Sequence, residues 1–173
     1  AASMTSQANR RYFIDSVRYW VGHDTKIVVD NDRTNEKECE DEQKAIDDIE
    51  KKLSVDIPRF LYRPEGLEFK DYNISKDFEY ALLQYDYNDT IMTLYINKYD
   101  KETKSTGASL DGKEIETIKL PEGEASIQVK RIMAKGDKKA SYVAYWNNST
   151  EFYQIESQME EKEFIKLIKN IKF

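Results

Sequence analysis

Seven short segments with strand-like composition follow one another between residues 67 and 156, and polar turns separate them. They are rich in β-branched and aromatic residues, which favour the pleated, half-buried surface of a sheet. Short turns join strands that run antiparallel. The predicted strands cover residues 67–74, 78–87, 90–99, 113–120, 125–134, 139–146 and 151–156. This run predicts an antiparallel, curved β-sheet of six to seven strands.

Two amphipathic segments before the strands predict N-terminal helices at residues 6–21 and 36–53. The first places four apolar side chains on one face at helical spacing, and a glycine follows it. These residues are Phe13, Val17, Trp20, Val21 and Gly22. A short strand is predicted between the two helices, at residues 25–30. Residues 1–56 are therefore expected to form a largely helical N-terminal segment.

A third amphipathic segment predicts a C-terminal helix at residues 159–171. Ser157 and Glu160 have the spacing of a capping box at its start. Its predicted buried face consists of Phe164, Leu167, Ile168 and Ile171. Strands followed by a helix, with helices before them, indicate an α+β fold in which helices pack on the sheet. The 173 residues suit one domain, with residues 57–173 forming the sheet and the C-terminal helix.

The charge of the chain argues against a nucleic-acid partner. The net charge is −6, and residues 30–56 alone carry 11 acidic and 5 basic side chains. Three of these acids, Glu40, Asp47 and Asp48, each precede a lysine by four residues, the favourable order on a helix, so the segment indicates a solvated helix face. A nucleic-acid-binding protein is expected to present a basic face, and the sequence does not predict one.

Residues with the chemistry of a reactive centre are scarce in this sequence. His23 is the only histidine and follows a predicted helix end, while Cys39 is the only cysteine and is flanked by acids. Carboxylates beside a thiol raise its pKa and suppress the thiolate. Residues 30–41 resemble a calcium loop in part, but Asn35 replaces the required glycine. We therefore predict no catalytic residue, metal or cofactor, and keep a hydrolase with two paired carboxylates as an open alternative.

The single cysteine excludes a disulfide within the chain. The absence of disulfides is compatible both with the cytosol and with the outer face of many bacteria. The sequence contains no apolar run of about 18 residues, so it predicts no membrane span.

The segment YVAYWNNSTEFYQIES, residues 142–157, holds the highest density of aromatic side chains and predicts a hairpin. If its loop has two or four residues, even positions before the turn share a face with odd positions after it. One face then holds Tyr142, Ala144, Trp146, Tyr153 and Ile155, which are apolar enough to form core. The other holds Val143, Tyr145, Phe152 and Gln154, which are expected to be half-exposed or to form a shallow groove.

Two stretches carry a family resemblance. IPRFLYRPEGLEFKDYNI, at residues 57–74, resembles a P-x-x-L-P-E-G-Y pattern at the start of a sheet, although Arg63 stands where that pattern often has an apolar residue. ASYVAYWNNSTEFYQIESQMEEKEFIKLIKNIKF, at residues 140–173, resembles a closing strand–turn–strand–helix unit. The pairing is similar to domain-of-unknown-function family 4367. That resemblance implies an outer-face domain of a single-pass membrane protein of Gram-positive bacteria, and some members resemble anti-sigma-factor regulators.

The resemblance also implies structural roles. Pro64 and Gly66 would form the turn that begins the sheet, with the proline at the second position of the turn. Trp146 and Tyr153 would hold the closing hairpin beneath the final helix, which buries Phe164 and Ile168. The family provides no catalytic residues to transfer.

These observations lead to the expectation of a non-enzymatic sensing or protein-interaction domain. It would lie outside the cell, anchored through a membrane helix upstream of this chain, and would meet a protein or an envelope component. The alternative is a carrier that holds a lipid or small apolar ligand between the curved sheet and a helix. Its candidate groove consists of Tyr85, Tyr87, Tyr95, Tyr145 and Phe152.

Overall fold

The computed structural model describes residues 34–98, 112–120 and 125–173, with side chains from residue 40 onward in the first helix. The helix predicted at residues 6–21, the strand predicted at 25–30, and the side chains of the calcium-like loop up to residue 39 lie outside this description. His23 and the side chain of Cys39 also lie outside it, as does most of the polar loop at residues 100–113.

The described chain contains two helices and nine strands. In chain order they are α1 (Thr34–Leu53), β1 (Arg59–Phe60), β2 (Leu67–Ser75), β3 (Tyr80–Tyr87), β4 (Thr90–Lys98), β5 (Lys113–Lys119), β6 (Ser126–Ile132), β7 (Ser141–Asn147), β8 (Glu151–Ser157), α2 (Glu161–Lys169) and β9 (Ile171–Lys172). The predicted α+β class and all seven predicted strands are confirmed.

The seven long strands form one open antiparallel sheet in the order β2-β3-β4-β8-β7-β6-β5. It consists of two meanders, β2-β3-β4 and β5-β6-β7-β8, which join where β4 pairs with β8. Chain-consecutive strands are therefore neighbours except at one point, between β4 and β5. The short strands β1 and β9 pair with each other in a separate antiparallel ribbon.

Both helices pack on the same face of the sheet, which we call the core face. α1 contributes Ile46, Ile49 and Leu53 to the core, and α2 contributes Phe164, Leu167 and Ile168. The sheet meets them with alternate residues of its central strands, among them Leu83, Leu94, Val129, Ala144 and Ile155. Burying each large aliphatic or aromatic side chain contributes about 1.5–3 kcal/mol, so this cluster is the main source of stability.

The closing hairpin has the predicted arrangement. Asn147 pairs with Phe152 and Trp146 with Tyr153, so the connection is four residues long. Tyr142, Ala144, Trp146, Tyr153 and Ile155 all belong to the core cluster, as the alternation predicts.

The aromatic rings of this hairpin make specific contacts on the core face. Trp146 stacks on Tyr153 with ring centroids 5.0 Å apart and planes 7° from parallel. Phe173, beyond the last helix, meets both rings edge-on at 6.2 and 5.4 Å. Tyr142 is the hairpin ring that contacts Phe164 of α2, at 5.9 Å. The Trp146–Tyr153 pair therefore lies against the C-terminal residue, and Tyr142 lies beneath the helix.

The turn before β2 differs from the prediction in its register. The backbone N–H of Leu67 donates to the carbonyl of Pro64 at 3.1 Å, so the proline occupies the first position of the turn and not the second. Gly66 has φ +84°, and a Cβ there would lie 2.7 Å from the Asn88 side-chain oxygen. The positive φ favours glycine, and a Cβ at this position would also require the Asn88 side chain to shift.

Three predictions at element ends were wrong. The last helix ends at Lys169, and Ile171 is buried as a residue of β9 paired with Phe60. The capping box does not form: the side chain of Glu160 makes no cap hydrogen bond, because it accepts one from Tyr87 instead. β3 begins at Tyr80, since residues 76–79 close a turn and leave Phe78 75% exposed.

Candidate functional site

The five side chains of the candidate groove lie on opposite faces of the sheet. Tyr85 and Tyr87 belong to the core face, whereas Tyr95, Tyr145 and Phe152 belong to a separate cluster on the other face. All five are buried. They therefore do not line one common groove between the sheet and a helix.

On the core face, the hydroxyl of Tyr85 is part of a buried polar contact. It donates to the carboxylate of Glu42 at 2.7 Å, and the Arg63 guanidinium donates to both oxygens of the same carboxylate. Phe60 and Phe69 contact the ring edge-on. Burial, together with the adjacent Glu42 charge and hydrogen bond, raises the pKa of Tyr85 well above its ordinary value. This tyrosine joins α1 to the sheet.

Tyr87 has a comparable position at the start of α2. Its hydroxyl donates to Glu160 at 2.8 Å. Burial and this hydrogen bond raise the pKa of Tyr87 to about 12. Both core-face hydroxyls are thus engaged in tertiary hydrogen bonds that hold the helices in place.

The opposite face, which we call the second face, is defined by the buried cluster Leu82, Tyr95, Ile132, Val143, Tyr145 and Phe152, with Tyr80 and Ile91 packed at its margin. All of these side chains come from strands or strand ends; within the described ranges, no helix residue belongs to this cluster. The sequence placed Val143, Tyr145, Phe152 and Gln154 on this face correctly. It expected them to be half-exposed, and that was wrong, because all four are buried.

The aromatic rings of the second face form a connected group around Tyr95. Tyr80 lies 5.7 Å and Phe152 lies 6.5 Å from its ring centroid. The Tyr95 hydroxyl accepts a hydrogen bond from Asn97. Burial raises the pKa of Tyr95 above its ordinary value. Rings with a polar end are suited to contacts that combine apolar area with hydrogen bonds.

Tyr145 lies two strands away from Tyr95 on the same face. Its hydroxyl donates to the Gln128 side chain at 2.5 Å, and the Lys130 ammonium lies 5.6 Å from its ring centroid. Gln154 stands between the two tyrosines, since it pairs with both Tyr95 and Tyr145 in the sheet. Tyrosine and glutamine therefore alternate across neighbouring strands.

Buried polar side chains lie among these rings. Gln84, Thr93, Gln154 and Glu156 are all less than 9% exposed. Nε2 of Gln84 and Oε1 of Gln154 are buried, and the described structure gives them no hydrogen-bond partner. Leaving a buried amide group without a hydrogen bond costs about 1–3 kcal/mol of folding free energy. On this face, one amide nitrogen and one amide oxygen could therefore gain a hydrogen bond from a binding partner.

Sequence reasoning missed Gln84, Thr93 and Leu82 as members of the second face. The alternation that assigned the hairpin finds them once the strand pairing is known, because Leu82 pairs with Tyr95, and Gln84 pairs with Thr93 two residues further along each strand. Residue types alone give no signal for their burial, which depends on what lies over the strands.

The buried carboxylates of the described chain do not form a catalytic pair. Glu42 is held by Arg63. Glu151 and Glu156 are five residues apart on β8, so their side chains point to opposite faces. Glu42 and Glu151 share the core side but lie toward opposite ends of it, beside Tyr85 and Lys98 respectively. In the part of the chain that the structure covers, no group of His, Cys, Asp and Glu side chains could hold a metal ion.

An open surface depression of about 420 Å³ lies between α2 and the edge strand β5. Its lining is mainly charged and includes an ion pair between Lys169 and Glu116 at 2.5 Å. The depression is open to solvent, whereas a small-molecule site usually buries most of the surface of its ligand. The carrier alternative stays a prediction.

The fold and this site define an α+β domain with helices on one face of an open antiparallel sheet and a tyrosine-rich cluster on the other. The chain belongs to the family described as Domain of unknown function (DUF4367), whose model matches residues 57–171. Neither a curated protein nor a solved structure matches the chain. Over the described residues, none of the helices is long and apolar enough to cross a bilayer.

Proposed function

We propose that this chain is a non-enzymatic sensing or protein-interaction domain that recognises a protein partner through the second face of its sheet. The observation that carries the proposal is the tyrosine-rich cluster around Tyr95 and Tyr145, whose margin is partly exposed at Tyr80 and Ile91. Aromatic residues, tyrosine among them, are enriched in protein interfaces and frequently dominate their binding energy.

The chemistry of the site supports binding more than catalysis. General acid–base catalysis needs a group whose pKa lies near the working pH. Burial raises the pKa of Tyr95, so its hydroxyl is further from titrating at neutral pH than that of an exposed tyrosine. It can donate and accept hydrogen bonds, but it is a poor proton acceptor at neutral pH.

The cellular context that we propose is the outer face of the membrane in a Gram-positive bacterium, with an anchor upstream of this chain and a role in anti-sigma-type regulation. The support for this part is the family resemblance at residues 57–74 and 140–173. Protease treatment of intact cells tests it: external protease should degrade the domain while a cytosolic control protein survives. Survival of the domain until the cells are lysed would contradict the external location.

Photo-crosslinking in intact cells tests the recognition surface. Benzoylphenylalanine replaces Tyr80, a half-buried ring at the margin of the second face, and, as the control, replaces Lys162 on the solvent side of α2. The proposal predicts one defined adduct from position 80 and none from position 162. The same crosslink should then form when the purified partner is mixed with the full chain. An adduct from position 162 alone, or equal adducts from both, would contradict the proposed surface.

A further inference from the structure

We propose that the outer side of the β1–β9 ribbon docks on a lipid bilayer with anionic headgroups. We call this side the ribbon surface; it consists of Arg59, Leu61 and Lys172, with Lys166 of α2 beside it. This contact uses the helix side of the domain, so it involves neither the second face nor the partner proposed for that face.

The ribbon packs on the core face through one of its two sides. Phe60 pairs with Ile171, and both belong to the core cluster. Phe60 also meets Tyr85 of the sheet edge-on, with ring centroids 5.8 Å apart. Because successive residues of a strand point to opposite sides, the neighbours of Phe60 and Ile171 point away from the sheet. The ribbon surface and the second face therefore look in opposite directions.

Leu61 is the apolar part of the ribbon surface. Its side chain is 68% exposed, although its backbone N–H donates to the carbonyl of Asn170 at 2.9 Å and so holds the residue in the ribbon. Phe173, which follows β9, is 44% exposed. A single exposed leucine is ordinary on a protein surface, so its meaning depends on the charges around it.

Two cations stand side by side on the ribbon surface. Arg59 and Lys172 are direct cross-strand partners, and like charges at such positions repel each other. Glu50 pairs with Arg59 at 3.2 Å. Lys172 forms no ion pair with any residue that the structure describes. An anionic group over this pair would relieve the repulsion.

Lys166 adds a cation on the α2 side of Leu61. Its ammonium lies 4.0 Å from the ring centroid of Tyr62, the residue that directly follows Leu61. The Tyr62 hydroxyl donates to Glu163 of the same helix at 2.5 Å, which holds the ring beside α2. Within the described ranges, Lys166 also lacks an ion pair. Leu61 is thus flanked by cations on both sides.

An exposed leucine among cations fits the surface of an anionic bilayer. The apolar side chain can enter the boundary between headgroups and acyl chains, while the long basic side chains reach the phosphates. A soluble phosphate would use the cations alone, and an apolar ligand would use Leu61 alone. The combination of the two favours the bilayer.

The docking has a consequence for orientation, and this consequence rests on the proposed function. Because the ribbon surface lies opposite the second face, a domain docked through the ribbon would present the second face away from the bilayer. A protein partner could then reach the cluster around Tyr95 and Tyr145 without contacting lipid.

Cosedimentation of the full chain with vesicles tests the docking. We expect binding to phosphatidylglycerol vesicles that weakens as NaCl is added, and little binding to phosphatidylcholine vesicles. Leu61→Ser should lower the partition onto anionic vesicles by about 5-fold or more. Phe78→Ser is the control, because Phe78 is even more exposed, at 75%, but lies outside the ribbon surface; it should leave the partition nearly unchanged.

A matched pair of charge reversals tests the contribution of the cations. Lys172→Glu should lower the partition by about 10-fold or more, whereas Lys138→Glu, at an exposed position of the turn between β6 and β7, should change it by less than about 3-fold. Lys172→Glu also places an acid opposite Arg59, so it should not reduce the stability of the fold.

Three results would overturn the docking: no binding to anionic vesicles, equal binding to neutral ones, or equal losses from Lys172→Glu and Lys138→Glu. Undiminished binding of Leu61→Ser would also overturn it, since that result would indicate attraction to phosphate groups without contact with the bilayer interior. The assay contains no partner protein, and the crosslink from position 80 involves no ribbon residue. The docking and the proposed function can therefore fail separately.

Discussion

Arg63 donates from one guanidinium nitrogen to both carboxylate oxygens of Glu42, at 2.6 and 2.5 Å. The contact joins the loop before β2 to α1, and the Tyr85 hydroxyl completes it from β3. Glu42 has a side-chain exposure of 8% and Arg63 one of 36%, so the two partners are unequally buried. Arg63, the residue that departs from the family pattern, thereby neutralises the charge of a carboxylate on the buried side of α1.

This inequality predicts an asymmetric response to mutation. Arg63→Met leaves a buried carboxylate without its cation and should lower the free energy of unfolding by about 3–4 kcal/mol. Glu42→Gln leaves a partly solvated cation and should cost less, about 2 kcal/mol. Urea denaturation measures both. Glu40→Gln is the control, because its pair with Lys44 is exposed and should change stability by less than about 0.5 kcal/mol. Equal losses from the two core variants would show that the burial argument is incorrect.

The core position of Phe164 gives a second prediction. Phe164 is fully buried, whereas Phe78 is 75% exposed in the turn before β3. Phe164→Ala should reduce the free energy of unfolding by about 3–5 kcal/mol through lost burial and a residual cavity. Phe78→Ala, the same change at an exposed site, should stay within about 0.5 kcal/mol. If Phe164→Ala does not fold, Phe164→Leu provides the measurement, and a loss no larger than that of Phe78→Ala contradicts the packing.

The Tyr87–Glu160 contact predicts a specific dependence of stability on pH. The hydrogen bond from Tyr87 lowers the pKa of Glu160 below 4.5, and burial followed by this bond raises the pKa of Tyr87 from 10.0 to about 12. Because the pKa of Glu160 is lowered, its ionised form stabilises the fold above about pH 4.5, and this stabilisation is lost as the pH falls. Because the pKa of Tyr87 is raised, its protonated form stabilises the fold below about pH 10, and this stabilisation is lost as the pH rises toward 12.

Comparing the parent chain with Tyr87→Phe isolates this contribution. The difference in unfolding free energy should be constant between about pH 5.5 and pH 9.5 and should shrink on both sides of that window. In a Glu160→Gln background, the acidic decline should disappear. A difference that is independent of pH in the original background would contradict the assigned hydrogen bond.

The buried amide of Gln84 predicts a conflict between stability and recognition. Gln84→Met removes a polar atom without a partner in the described structure and keeps a similar volume, so it should raise the free energy of unfolding by about 1 kcal/mol. Gln43→Met, at an exposed position of α1, should change it by less than about 0.5 kcal/mol. The stabilised Gln84→Met chain should nevertheless bind the crosslinked partner more weakly. Stabilisation without loss of binding would remove Gln84 from the proposed surface.

Local patterns were sufficient to predict most of this fold. Residue alternation and a four-residue connection placed Trp146 and Tyr153 on the core face correctly, because both signals act over neighbouring residues. Ile171 was assigned to a helix because its spacing fits one. It lies in β9 because it pairs with Phe60, more than a hundred residues away, and no local pattern encodes that pairing.

The candidate site depended on information that the sequence expresses only weakly. The pairing of β4 with β8 brings Tyr95 beside Phe152 and Gln154, and this pairing connects two meanders that are distant in the chain. The Glu42–Arg63 pair likewise joins residues 21 positions apart. The residue types indicated which aromatic rings were candidates for a site. Only the strand order shows that these rings are divided between the core face and the second face.

The affinity of the partner captured through position 80 tests the central claim most directly. Tyr80→Ala alters the second face, and Tyr72→Ala alters a half-buried ring of the same type on the core side. Isothermal titration calorimetry should show Tyr80→Ala weakening the complex by about 10-fold or more, as expected when an aromatic interface residue is truncated, and Tyr72→Ala by less than about 2-fold. Equal affinities for the two variants, or a larger loss from Tyr72→Ala, would contradict recognition through the second face.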